Sequence, residues 1–238
     1  MPISQPGNHE AEKKPTCMPP VLTQHIIKLA EYQPETNQAG DIYFPSTPVM
    51  FNRIFTPFGF VIPADTSNTG QDKANPQPTF IAPLKTKVYS PLDGTVVNIV
   101  TTLWSTPSLG DVSIHILPDG LAESCYVVVE LEHVVNPAVQ EGDRVKAGQE
   151  IAEVGPLNAK AQAGLGTVEL GVLSATREGN PVHTCPFFFF SPEVREQRLN
   201  ELSQMLADWE AFVNDPSLYD ETAWVNGTPG CLAREIHD

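Results

Sequence analysis

Short stretches in which apolar and polar residues alternate dominate the chain between residues 79 and 190. Such alternation places every second side chain on the same face of a β-strand. Turn-forming residues separate the stretches, for example at 91–94 and 141–143. Many short strands with regular turns predict a sandwich or barrel. The predicted strands cover residues 80–82, 87–89, 95–100, 112–117, 126–135, 150–154 and 167–173.

Helical spacing replaces alternation after residue 190. It predicts one amphipathic helix over residues 191–214 whose apolar side packs on the rest of the protein. Ser191 is placed to cap the start of this helix. A shorter apolar pattern predicts a further helix over residues 21–32. The apolar positions of the long helix are Leu202, Met205, Leu206, Trp209, Phe212 and Val213.

The same patterns divide the chain into four segments. Residues 1–20 are polar and rich in proline, which predicts a disordered leader. Residues 21–63 are expected to form an N-terminal extension packed on the β-domain, which itself covers residues 64–190 and opens with a polar surface loop. Residues 191–238 form the helix and tail.

The charge of the chain restricts its partners. Its formal net charge is −15, from 29 acidic and 14 basic residues. Such a chain is repelled by phosphates, so nucleic acid is excluded as a partner. No stretch reaches the roughly 18 apolar residues of a membrane span. The first residues contain no apolar core of a signal peptide. This does not decide the cellular compartment, because a chain from which the signal peptide has been removed would show the same N-terminal sequence.

Four cysteines are spread along the chain and form no C-x-x-C pair, so a structural zinc site is not predicted. Cys185 and Cys231 flank the predicted long helix and are candidates for a disulfide across it. Four reduced cysteines remain the alternative. The pairing of Cys17 and Cys125 is left open.

Two segments, 89–97 and 141–151, each join a glycine-containing turn to valine- or isoleucine-rich strands. This weak internal repeat resembles the hybrid barrel of biotinyl/lipoyl carrier domains and of lysostaphin/LytM-type zinc endopeptidases. The peptidase family's motifs have counterparts in the right order at 131–134, 166–172 and 179–187. The resemblance covers about residues 55–190. It implies a mainly β, barrel-sandwich hybrid fold (a duplicated hybrid motif), here with an N-terminal extension and one C-terminal helix.

The resemblance also assigns a site. His133 matches the catalytic histidine of the family's tyrosine-x-histidine motif, with Leu131 in place of the tyrosine. Thr167 and Glu169 stand where the family has a histidine-x-histidine pair. Alternation places both on the strand face opposite the core. His115, in predicted strand 112–117, alternates with core residues, which predicts a solvent-facing histidine.

Upstream, the family's histidine and aspartate ligands fall on Asn75 and Thr79, neither of which is a good zinc ligand. A shifted alignment in the preceding loop would supply Asp65 or Asp72 instead. Glu169 is the one further candidate metal ligand. Because catalysis by a metal needs a complete coordination shell, no bound cofactor is expected, with zinc as the alternative.

We therefore expect a non-catalytic LytM-like domain of a bacterial envelope or secreted protein, located in the periplasm or outside the cell. Its partner would be a cell-wall peptide or glycan, or a cell-wall hydrolase that it regulates. The first alternative is a zinc metalloendopeptidase with rearranged ligands in which His133 is catalytic. The second is a carrier domain modified on Lys160. The expected binding groove is lined by Asn75, Thr79, His133, Thr167 and Glu169.

Overall fold

The protein is mainly β, as predicted, with its strands in antiparallel sheets and one α-helix among the residues that the structure describes. Within that part of the chain, a large sheet of eleven strands is accompanied by a three-stranded and a two-stranded sheet. A computed structural model describes residues 19–47, 49–67, 69–101, 110–121, 125, 127–156, 164–175 and 181–237. Lys160 and nearly all of the predicted leader lie outside the described residues.

The sheet order places strands that are distant in sequence side by side. The large sheet runs β12-β9-β10-β11-β13-β14-β15-β16; β7 and β11 also pair with β14, β4 pairs with β7, and β8 pairs with β13. The strands are β1 (Tyr32–Gln33), β2 (Gln38–Ala39), β3 (Ile42–Tyr43), β4 (Phe55–Thr56), β5 (Val61–Ile62), β6 (Lys73–Ala74), β7 (Thr79–Pro83), β8 (Lys87–Tyr89), β9 (Gly94–Val100), β10 (Val112–Pro118), β11 (Val127–Val135), β12 (Arg144–Val145), β13 (Glu150–Pro156), β14 (Leu165–Ala175), β15 (Pro181–Thr184) and β16 (Glu235–His237).

The core lies on one face of the strand group β10, β11, β14 and β7. Ile114 pairs with Leu131, and Leu131 pairs with Leu170, across three neighbouring strands. Phe80 on β7 pairs with Val168 on β14. All of these side chains are buried. Because side chains alternate along a strand, the residues between them form a second, polar face of the same four strands.

The helix predicted over residues 21–32 is absent. Its backbone groups bond to other segments: the Leu22 N–H donates to the Phe189 carbonyl at 2.8 Å, and the Tyr89 N–H donates to the Ile26 carbonyl at 2.8 Å. The prediction was wrong because burial of apolar side chains by tertiary contacts produced a spacing that resembles a helix.

The long helix is α1 (Arg195–Val213), four residues shorter at its start and one at its end than predicted. The Ser191 N–H donates to the Leu22 carbonyl at 2.8 Å, which ties this residue to the N-terminal segment. The residue before the helix is Val194, which makes no side-chain capping hydrogen bond, so the prediction that Ser191 caps the helix was wrong. Asn214 ends the helix in the left-handed conformation. The buried side of α1 is the predicted one and contains Leu202, Met205, Leu206 and Trp209.

Cys185 and Cys231 form a disulfide in which the two Cα atoms are 5.9 Å apart. Cys125 is also disulfide-bonded, and no cysteine in the described part of the chain is free. The alternative of four reduced cysteines is therefore wrong. No helix in the described segments has both the length and the apolar character needed to cross a membrane.

Candidate functional site

The polar face consists of the side chains that point away from the core on β10, β11, β14 and β7. Three of them form one row across the sheet, because Glu132 pairs with Glu169 and Glu169 pairs with Thr79. The Thr79 hydroxyl donates to the Glu169 carboxylate at 2.8 Å. The polar face is defined by Thr79, Ser113, His115, Glu130, Glu132, Thr167 and Glu169.

A β-bulge adds His133 to this row. Val112 pairs with Val134 and Ile114 with Leu131, so two residues of β11 lie opposite one residue of β10. His133, one of the two, has a φ of 58°. Such a bulge redirects a side chain that regular alternation would turn away.

The bulge also marks the point where β11 changes neighbours. The strand pairs with β14 as far as Glu132 and with β13 from Val134 onwards. This change of neighbour requires a glycine on β13 at position 155. A Cβ atom on Gly155 would lie only 2.3 Å from the His133 carbonyl oxygen. Sheet topology thus fixes the position of His133.

Glu132, His133 and Glu169 form the acidic–histidine cluster. Each offers one ligand atom, and these atoms all lie within 4.8 Å of one another. Behind the cluster, the buried Asp111 carboxylate is 2.8 Å from His133 Nδ1. A carboxylate only accepts hydrogen bonds, so Nδ1 carries the proton and donates to Asp111.

Gln77 joins the cluster to a second histidine. Its amide nitrogen donates to Glu130 at 2.9 Å and to Glu132 at 3.1 Å. Glu130 is 2.9 Å from His115 Nε2. His115 was predicted to face solvent; the structure instead places it in this network because its strand face is the polar face of the sheet.

The crowded carboxylates have opposite pKa shifts. Burial, together with the charges of Glu169 and Glu130, raises the pKa of Glu132 to about 7. Burial also opposes ionisation of Glu130, but hydrogen bonds from His115 and Gln77 outweigh it and hold the pKa below its usual value. Burial acts to lower the pKa of His133, yet the charges of Glu169 and Glu132 produce a net upward shift.

The structure places Asn75 and Thr79, the candidate residues upstream in the sequence, beside Glu169. The Asn75 amide nitrogen donates to the Gln77 carbonyl at 2.6 Å and to the Thr79 hydroxyl at 3.3 Å. Asn75, Thr79 and Glu169 therefore form one hydrogen-bonded chain. Thr167 lies on the same face as Glu169, one alternate position away, and is buried.

Asp65 and Asp72, offered by the shifted alignment, do not reach the cluster. Asp72 accepts a hydrogen bond from the Ala64 N–H at 2.9 Å and closes the loop between β5 and β6. Both aspartates are exposed. Local closure of the loop therefore keeps them away from Glu169.

The residues to which the resemblance assigned the zinc-ligand positions do not fit that metal. The Asn75 amide nitrogen is a donor and cannot ligate a cation, and the Thr79 hydroxyl hydrogen is given to Glu169. Only Glu169 offers a charged ligand among the positions that the resemblance assigned. This site therefore does not support a reaction that depends on a zinc ion held by Asn75, Thr79 and Glu169.

Sequence reasoning missed four members of the site: Asp111, Gln77, Glu130 and Glu132. The alternation of residues 129–132 carried a signal, since it places Glu130 and Glu132 on one strand face. No local pattern relates Asp111 or Gln77 to His133, because both reach the site through strand pairing.

No protein-family model matches the sequence, and no curated protein matches it. Solved structures do match. Lysostaphin has 16% identity over 57% of this chain and 50% of its own, with a TM-score of 0.40. LytU has 23% identity over 61% and 90%, with a TM-score of 0.41. A zinc-containing peptidase from Vibrio cholerae has 19% identity over 68% and 39%, with a TM-score of 0.41. This chain thus spans half of the lysostaphin chain it matches.

Proposed function

We propose that this chain is a non-catalytic LytM-like domain that binds cell-wall peptide or glycan, or a partner cell-wall hydrolase, on its polar face. One observation carries the proposal. The residues to which the resemblance assigns the family's zinc-ligand positions, Asn75, Thr79 and Glu169, are engaged in hydrogen bonds with one another and with Gln77. Such a face retains hydrogen-bonding capacity for a polar ligand without a hydrolytic metal shell.

The cysteines support a location in the periplasm or outside the cell. The Cys185–Cys231 disulfide and the disulfide of Cys125 are of a kind that persists in oxidising compartments. A bacterial envelope or secreted protein meets that condition. The proposed ligands, peptidoglycan peptide and glycan, lie in the same compartment.

Binding to purified peptidoglycan tests the proposal. In a sedimentation assay with EDTA present, the full chain should bind insoluble peptidoglycan above a control protein. The variant Glu169→Gln should weaken this binding roughly tenfold, because a hydrogen bond to a charged group contributes about 1.5–3 kcal/mol. Glu150→Gln is the matched control, since Glu150 is a surface carboxylate that pairs with Lys87. Absence of binding, together with failure to bind any cell-wall hydrolase, would refute the proposal.

A metallopeptidase with rearranged ligands is the second candidate, and the acidic–histidine cluster favours it. It predicts that zinc-loaded protein releases soluble fragments from peptidoglycan and that Glu132→Gln abolishes the release. Intact peptidoglycan after prolonged incubation with zinc would leave the binding function as the stronger proposal. The carrier alternative requires a mass increment on Lys160.

A further inference from the structure

In and around the acidic–histidine cluster, carboxylates outnumber basic side chains among the residues that the structure describes. Four carboxylates, those of Asp111, Glu130, Glu132 and Glu169, meet two imidazoles, His115 and His133. The Lys73 ammonium is a further basic group whose charge acts on Glu132. Buried or half-buried carboxylates in excess are costly unless a cation joins them.

His133 is oriented as a metal-binding histidine is. Its Nδ1–H donates to Asp111, so Nε2 is the ring nitrogen that can offer a lone pair to a cation. Histidines that bind metals generally donate their other ring N–H to a carboxylate or carbonyl in this way, which fixes the tautomer and the ring orientation. Asp111 is only 3% exposed, so this hydrogen bond is shielded from water.

A second observation concerns the hydrogen-bonding groups beside the cluster. Among the described residues, no hydrogen-bond partner is found for two buried oxygens of side chains that contact the cluster, Gln77 Oε1 and Asp111 Oδ1. The Gln77 amide cannot be reversed to satisfy its oxygen, because its nitrogen is the donor to Glu130 and Glu132. Gln77 is 3% exposed. Buried acceptors without hydrogen-bond partners, next to an excess of carboxylates, favour the binding of a cation.

We propose that Glu132, His133 and Glu169 bind one divalent transition-metal cation of the Zn²⁺ or Co²⁺ class, and that Asp111 positions His133 for it. Carboxylate oxygens with an imidazole nitrogen suit these ions. Glu132 and the bulged position of His133 make this set different from the one that the resemblance assigned. The inference does not depend on peptidoglycan binding, which the EDTA assay measures without metal.

Metal titration of the full, EDTA-treated chain tests the site. Isothermal titration calorimetry with ZnSO₄ should show one ion per chain. Co²⁺ should produce visible absorption bands typical of nitrogen–oxygen coordination. Glu132→Gln and Glu169→Gln should each weaken Zn²⁺ binding by tenfold or more, while the control Glu150→Gln should not change it. Circular dichroism checks that each variant is folded.

The variant Asp111→Asn distinguishes a role of Asp111 in positioning His133 from a role in folding alone. We expect it to weaken Zn²⁺ binding about 10–100-fold, the usual effect of removing such a partner, and to change the Co²⁺ spectrum. Two results would overturn the metal site. The wild type could fail to bind Zn²⁺ up to millimolar concentration, or the wild type, Glu132→Gln and Glu169→Gln could bind Zn²⁺ equally well. Either result would leave the peptidoglycan-binding proposal standing.

Discussion

Replacing both Cys185 and Cys231 with alanine should lower the free energy of unfolding by about 4 kcal/mol. The disulfide closes a loop between residues 46 apart, and closing a loop of this length reduces the entropy of the unfolded chain by roughly that amount. For a domain of this size the melting temperature should fall by about 8–16 °C. Thermal unfolding followed by circular dichroism measures the change.

The bridge also holds the C-terminal segment on the sheet. Cys231 forms an isolated β-bridge with Phe58, and the following Leu232 N–H donates to the Phe58 carbonyl at 2.9 Å. The control is a background in which Cys17 and Cys125 are alanine, so that a reductant acts on this bridge alone. In that background, reduction should reproduce the effect of the double replacement. A melting temperature that changes by less than about 2 °C in both experiments would contradict the prediction.

Acid should destabilise the protein by about 3 kcal/mol through His25 alone. Burial lowers the pKa of this imidazole from 6.5 to about 4, against the opposing effect of its hydrogen bond to the Arg198 carbonyl and of the Glu201 charge. Its ring also contacts Phe187 and Phe190, whose apolar side chains cannot solvate a charged imidazole. The folded protein therefore keeps His25 neutral where the unfolded chain protonates it.

The direction of this pH effect on stability follows from the number of protons that the folded and the unfolded protein bind. Between pH 6.5 and about 4 the unfolded chain binds one proton more than the folded protein, so stability is lost as pH falls through this window. Below it both states are protonated and this contribution ends. Urea unfolding at several pH values should therefore give a flatter profile for His25→Gln than for wild type. His237→Gln, which removes an exposed histidine, should follow wild type. Parallel profiles for all three proteins would refute this account.

Much of the fold could be predicted from alternation and turn residues. The predicted strands at 80–82, 112–117 and 167–173 correspond to β7, β10 and β14. The buried side of α1 could also be predicted, because Leu202 and Trp209 recur at helical spacing. The segment 21–32 could not, since its regular spacing reflects contacts with distant residues such as Phe189.

For the site, the sequence by itself determined which side chains share a strand face: Thr167 with Glu169, and Glu130 with Glu132. Only the tertiary structure decided which of them meet. Consecutive residues of a regular strand point to opposite faces, so the sequence separates Glu132 from His133. The bulge at His133, made where β11 changes from β14 to β13, brings both side chains to Glu169. Asp111 and Gln77 complete the site from other strands and loops, because strand pairing acts across distances in sequence that no local pattern records.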